Sequence, residues 1–135
     1  MPILIIIFPA VSKSLVELIL ILDRCTNNSI KIAKKYFIKN KSKIRLFVNK
    51  KNKGLQFCCN QALKHAHGDY ILRLDADDYL ECNALKYLTK SLELDPDLAL
   101  VFPDYYEVDD LGNVIKIVQR NNFQNMVYCI LYSIN

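Results

Sequence analysis

The feature that most constrains this chain is a repeated pairing: an apolar run of strand length that ends in an aspartate, then a stripe of helical period. Leu18-Ile19-Leu20-Ile21-Leu22 is the clearest run, bounded by Glu17 and Asp23. A continuous apolar stretch of that length suits a strand covered on both faces of a sheet. Thr26-Asn27-Asn28-Ser29 then supplies capping side chains, and Ile30, Ala33, Tyr36 and Phe37 recur at the spacing of an amphipathic helix. Ile44 to Val48 reads as the next strand and Asn49 to Gly54 as a polar loop. Leu55, Cys58, Cys59, Ala62, Leu63 and Ala66 read as the buried face of a second helix, stopped by Gly68. Tyr70 to Leu74 is a third strand ending in Asp75, and Ala84, Leu85, Leu88 and Leu92 mark a third helix closed before Asp95-Pro96. Leu98 to Phe102 is expected as a fourth strand. Tyr105–Val108 and Val114–Val118, joined by the turn residues of 109–113, are expected as a β-hairpin.

Strands alternating with helices of this length specify an α/β fold with right-handed crossovers and a mostly parallel central sheet. The carboxyl ends of its strands share one edge, where open α/β sheets bind ligands. At 135 residues the chain is expected to form a single domain. Gly54, Gly68 and Gly112 are the only glycines, and their spacing builds neither a G-x-G-x-x-G turn nor a Walker A loop, so a phosphate must be held by other means. Five cysteines without a C-x-x-C pair argue against a zinc knuckle or a secreted disulfide framework and fit a reducing, cytoplasmic setting. The apolar run Ile3 to Phe8 lacks a basic flank and stops at Pro9, which favours a buried strand over a signal segment. The apolar segment Met126 to Tyr132 either packs on the domain or rests on a membrane. Both runs fall short of the roughly 20 residues of a membrane span.

The net charge of +4 hides a separation. No acidic residue lies between Asp23 and Asp69, where twelve lysines and arginines fall, whereas 69–110 holds twelve of the fourteen carboxylates. The basic half is either a solvated surface or a face attracted to anionic lipid or a polyanion. Nucleic acid is the weaker option, because no aromatic stacking set accompanies the lysines.

Asp75-Ala76-Asp77-Asp78 is the most informative tetrapeptide. Three carboxylates within four residues repel one another unless a cation or several donors neutralise them. Mg²⁺ and Mn²⁺ take such oxygen ligands, and Mg²⁺ is commonly shared between one or two carboxylates and substrate phosphates. An EF-hand loop starting at Asp75 fails, since Leu80 stands where glycine is needed and Lys86 where glutamate is needed. The competing structural explanation is acids in the first turn of a helix, where they suit the dipole. Asp23, ending its own strand at the same edge, either accepts hydrogen bonds from a nucleobase or ribose or caps the helix that follows. Asp23 with Asp75 and Asp77 would give a cleft with a nucleoside end and a metal end.

The series Glu17 to Ser29, Asn52-Lys53-Gly54-Leu55, Asn60-Gln61-Ala62-Leu63 and Gly68 to Asp78 resembles, in order and spacing, the family 2 glycosyltransferases of GT-A fold, over about residues 17–120. The resemblance implies a GT-A, Rossmann-like α/β domain. It also implies metal-assisted, inverting transfer of a glycosyl group from a nucleotide-diphosphate sugar to a hydroxyl on a saccharide, lipid-linked or protein acceptor. Asp23 corresponds to the family's base-binding aspartate and Asp75 and Asp77 to its D-x-D motif. In that motif Asp77 would ligate Mg²⁺ or Mn²⁺, and Asp75 would contact the ribose or the metal shell. Asn52 and Asn60 fall where the family lines its donor site, though a loop turn and a polar helix face explain them equally well. Cys59 stands where many members carry arginine. The segment before Glu17 leaves no helix-length room after Pro9, and no acidic base follows the hairpin before Asn135, so the chain resembles a member cut at both ends, with no catalytic residue assigned. Asp104, Asp109 and Asp110 are the nearest substitutes. The alternatives to an active transferase are a donor-half fragment that binds nucleotide and metal without turnover, or a basic interaction module.

Overall fold

The computed structural model describes residues 2–8, 17–119 and 131–133. Its elements are β1 (Pro2–Phe8), β2 (Glu17–Asp23), α1 (Asn27–Lys39), β3 (Ile44–Asn49), α2 (Leu55–His65), β4 (Tyr70–Asp75), α3 (Ala84–Leu94), β5 (Tyr105–Val108), β6 (Val114–Val118) and β7 (Leu131–Ser133). Five strands form one sheet in the order β3-β2-β1-β4-β7, and β5 and β6 form a separate two-stranded ribbon. β3 runs parallel to β2, while β1 is antiparallel to both β2 and β4, and β7 is antiparallel to β4. Hence β2, β3 and β4 share one direction and form the expected α/β frame, with β1 and β7 running against it. Chain length explains the reversed β1. Parallel neighbours need a crossover of a dozen or more residues, and only eight residues, 9–16, separate Phe8 from Glu17.

The period of two along each strand sorts the core into two layers. Ile19 and Ile21 of β2 and Ile71 of β4 pack with Cys58 and Ala62 of α2, and Phe47 of β3 joins them. On the other face Leu72 packs with Leu88 and Leu92 of α3 and with Val101, alongside Leu18 and Leu74. At the amino-terminal end of β2, the Glu17 carboxylate pairs with Arg45 Nε at 2.6 Å and accepts the His67 backbone N–H at 3.3 Å. That edge of the sheet is closed by its own residues.

Three expectations are corrected, and a fourth lies mostly outside the described residues. Leu98 to Phe102 is not a strand. The ladder position beside β4 is taken by β7, and Val101 is buried against α3 without pairing. Tyr36 is 59% exposed, because α1 lies mainly over β3, an edge strand, and Ala33 with the half-buried Ile30 and Phe37 covers so narrow a seat. On α2, Leu55 and Leu63 are exposed, and only Cys58 and Ala62 are fully buried. Of the apolar segment 126–132, residues 126–130 lie outside the described residues, and Leu131 and Tyr132 belong to β7.

Candidate functional site

The carboxyl ends of β2, β3 and β4 bring together residues that are far apart in the chain. Asp23 pairs in register with Asn49 of β3. Ile21, two residues before Asp23, pairs with Ile3 of β1, which pairs in turn with Asp75 of β4. Paired residues share a face, as do residues two apart, so Asp23 and Asp75 lie on the same face, the one covered by α2. Two inter-strand spacings, about 10 Å, separate their strands.

Asp23 is 5% exposed, and its carboxylate holds the entry to α2. The Lys53 N–H donates to both oxygens at 3.0 Å, the Gly54 N–H donates to Oδ2 at 2.8 Å, and Asn49 Nδ2 donates to Oδ1 at 3.2 Å. Burial alone would push this carboxyl up, but the donors from Lys53, Gly54 and Asn49 outweigh it and hold the group below its ordinary range. Gly54 has φ +81, in the left-handed region that favours glycine, so the chain can turn into α2 with both N–H groups aimed at Asp23. Asn52 lies in the same loop, where its Oδ1 also accepts the Gly54 N–H at 3.0 Å. Asp23 therefore does not cap the helix that follows it. The N-cap of α1 is Thr26.

At the end of β4, Arg73 Nη2 donates to Asp75 Oδ2 at 2.7 Å. Asp75 Oδ1 is buried and has no hydrogen-bond partner among the described residues. Above this ion pair, burial raises the Cys59 thiol, the charge of Arg73 opposes the shift and that of Asp75 adds to it. Beyond the strand the chain turns, with the Asp78 N–H donating to the Asp75 carbonyl at 3.1 Å, and Asp77 and Asp78 are exposed. Burial and the neighbouring Asp77 and Asp75 raise the Asp78 carboxyl, against the pull of Arg73. The helix-dipole explanation of these acids fails, since α3 begins at Ala84 with no acid in its first turn.

The candidate residues do not all converge. Asp23, Asn52 and Asp75 lie at one sheet edge and Asp77 follows it directly, but Asn60 is exposed on the side of α2 opposite Cys58. Among the described residues, no three His, Cys, Asp or Glu side chains form a ready cage for a metal. A hard divalent ion still fits the donor set, because Asp75 offers a buried oxygen with no partner and Asp77 an exposed carboxylate two residues on. Asp109 is engaged elsewhere. Its carboxylate accepts Asn113 Nδ2 at 2.9 Å and the N–H groups of Asn113 and Leu111 at 2.8 and 2.9 Å, and these bonds, Asn113 foremost, hold it below its ordinary range, a poor setting for a base.

Sequence reasoning passed over Arg73 and Asn49. Strand periodicity carried the signal for Arg73, which stands two residues before Asp75 and so on its face. Asn49 closes β3 at the same edge.

The sequence model of Glycosyl transferase family 2 matches residues 9–132. The chain is 32% identical over 94 residues to the chondroitin synthase of Escherichia coli, covering 70% of this chain and 13% of that protein. It is 36% identical over 103 residues to an uncharacterized glycosyltransferase of Haemophilus influenzae, covering 76% and 40%. It is 33% identical over 93 residues to the hyaluronan synthase of Pasteurella multocida, covering 69% and 9%. The chain thus spans less than half the length of each of these relatives. With the family match running through β2, β3 and β4 and both strand-end aspartates, the chain belongs to glycosyl transferase family 2.

Proposed function

We propose that this chain is the donor-binding part of an enzyme that transfers a glycosyl group, with inversion, from a nucleotide-diphosphate sugar to an acceptor hydroxyl. The observation that carries the reading is the placement of Asp23 and Asp75 on one sheet face, about two strand spacings apart. Asp23 serves the nucleoside end. Its oxygens already accept three N–H donors, so it acts there chiefly by fixing the Lys53-Gly54 backbone and the neighbouring Asn52 as a wall of the pocket, while Asn60, on the far side of α2, takes no part. Asp75 and Asp77 would hold Mg²⁺ or Mn²⁺, which when bound neutralises the departing diphosphate. The acceptor hydroxyl belongs to a saccharide, lipid-linked or protein acceptor.

Calorimetric titration with uridine or guanosine diphosphate and Mn²⁺ tests the donor site. Asp77→Ala should weaken metal-dependent binding by tenfold or more, roughly 1.4 kcal/mol, with the melting temperature unchanged. Equal metal-dependent heats in both proteins would remove the metal site.

A second surface supports contact with a membrane. Lys31, Lys35 and Lys39 form an exposed i, i+4, i+8 stripe on α1, flanked by exposed Ile32, Tyr36 and Ile38. Like charges at this spacing repel, and among the described residues none of these lysines is in an ion pair. Among the same residues no helix is long and apolar enough to cross a membrane, and a basic stripe flanked by exposed apolar side chains suits a peripheral contact. Sedimentation with anionic but not neutral vesicles, weakened by salt and by Ile38→Ser, is the expected outcome. Equal sedimentation with both vesicle types would exclude it.

A further inference from the structure

We infer that Arg73 is a diphosphate-binding residue held in reserve by Asp75. Without donor it neutralises the strand-end carboxylate, and once a divalent ion takes that carboxylate the guanidinium is released to the diphosphate. The inference rests on the donor-site reading above and adds a residue and an exchange of partners to it.

Arg73 and Asp75 are two apart on β4, on the face where Asp23 and α2 meet the sheet, and their pair is 2.7 Å long. An ion pair meant only to secure the fold would be expected to satisfy both carboxylate oxygens, as a guanidinium fork can do. Here one oxygen is engaged, and the other is buried without a partner among the described residues. That is a costly arrangement for a resting structure. It suits a site in which a divalent ion completes Asp75.

The guanidinium is suited to the transfer. Its side chain is 31% exposed, so it is not locked in the core. Arginine stays charged at any working pH, and its five donors match the oxygens of a phosphate. Asp75 supplies the only ion pair Arg73 has among the described residues. A cation on Asp75 would sit close to that guanidinium and repel it, whereas a diphosphate on the same cation would attract it. The first weakens its hold on Asp75, and the second offers it a new anionic partner. No bond is made or broken, since the exchange passes an anionic partner from a carboxylate to a phosphate oxygen.

The test uses the full chain with Arg73→Gln and Arg73→Lys, circular dichroism to verify the fold, and two probes: MnCl₂ alone, followed by the paramagnetic resonance of free Mn²⁺, and uridine or guanosine diphosphate with saturating Mn²⁺, followed by calorimetry. Arg73→Gln should move the two affinities in opposite directions. Mn²⁺ alone should bind more tightly, by about threefold or more, because a competing cation is gone. The nucleoside diphosphate should bind about tenfold or more weakly, because charge-assisted hydrogen bonds are lost. Arg73→Lys keeps the charge without the fork and should fall between, and it carries the test if the glutamine variant does not fold. Unchanged diphosphate affinity in the variants would overturn the inference while leaving the donor site intact. So would weakening of both probes together, the result expected if Arg73 only braced Asp75. Absence of diphosphate binding in the wild-type chain would overturn the donor-site reading, and this inference with it.

Discussion

The ends of β2 and β4 carry the same residue on the same face of one sheet, yet the protein treats them differently. Asp23 is buried beneath the entry to α2 and meets donors from Lys53, Gly54 and Asn49. Asp75 is 26% exposed, has one guanidinium on one oxygen and leaves the other oxygen without a partner. The difference separates the aspartate that builds the pocket from the one left open for what the pocket receives. A carboxylate satisfied by its own backbone contributes stability, while one left half-paired is a cost that a ligand can relieve.

The largest effect is expected where the protein has committed most. Asp23→Ala leaves the Lys53 N–H without its acceptor and takes the charged acceptor from the Gly54 N–H and the Asn49 amide, which keep Asn52 and Gln61 respectively, and should cost roughly 2 kcal/mol in urea unfolding at neutral pH. The loss should depend on pH. The folded-state pKa of Asp23 is lowered, so its contribution is fully present above the unfolded-state value of about 3.9 and is lost as pH falls through the lower folded value. The gap between wild type and Asp23→Ala should therefore narrow below about pH 4. A gap that stayed constant into acid would mean that the carboxylate charge is not what holds the loop.

Much of this contrast was legible in the sequence, and the rest was hidden for physical reasons. Strand β2 announced itself because burial on both faces leaves a continuous apolar run, β3 and β4 because their apolar runs are broken only by Arg45 and Arg73, and the two aspartates were found because they end such runs. The hairpin was equally plain, since a turn rich in Asp, Gly and Asn divides a tyrosine-rich segment from a β-branched one. Leu98 to Phe102 misled because burial, which its composition reported, does not require a ladder partner. Tyr36 and Leu63 misled because the helical period gives the direction of a face but not its width, and the width is set by how much sheet lies beneath. The difference between the two aspartates could not be read at all. The partners of Asp23 are about thirty residues away on a loop, and nothing local marks them. The partner of Asp75 lies two residues away, but whether it satisfies one oxygen or two is a matter of side-chain geometry.

The smallest predicted effect sharpens the comparison most. Asp75→Asn removes a charge and keeps the shape of the side chain. It weakens one partly exposed ion pair, a kind of interaction that contributes little, and places an amide where a carboxylate oxygen had no partner. The expected change in urea unfolding is within about 0.5 kcal/mol, against the several times larger loss at Asp23. Mn²⁺ affinity in the same variant should fall, since an amide oxygen is a weaker ligand for a hard cation than a carboxylate. A loss of stability at Asp75 as large as that at Asp23 would show both strand ends to be parts of the scaffold, and the Arg73–Asp75 pair would then be a brace for β4.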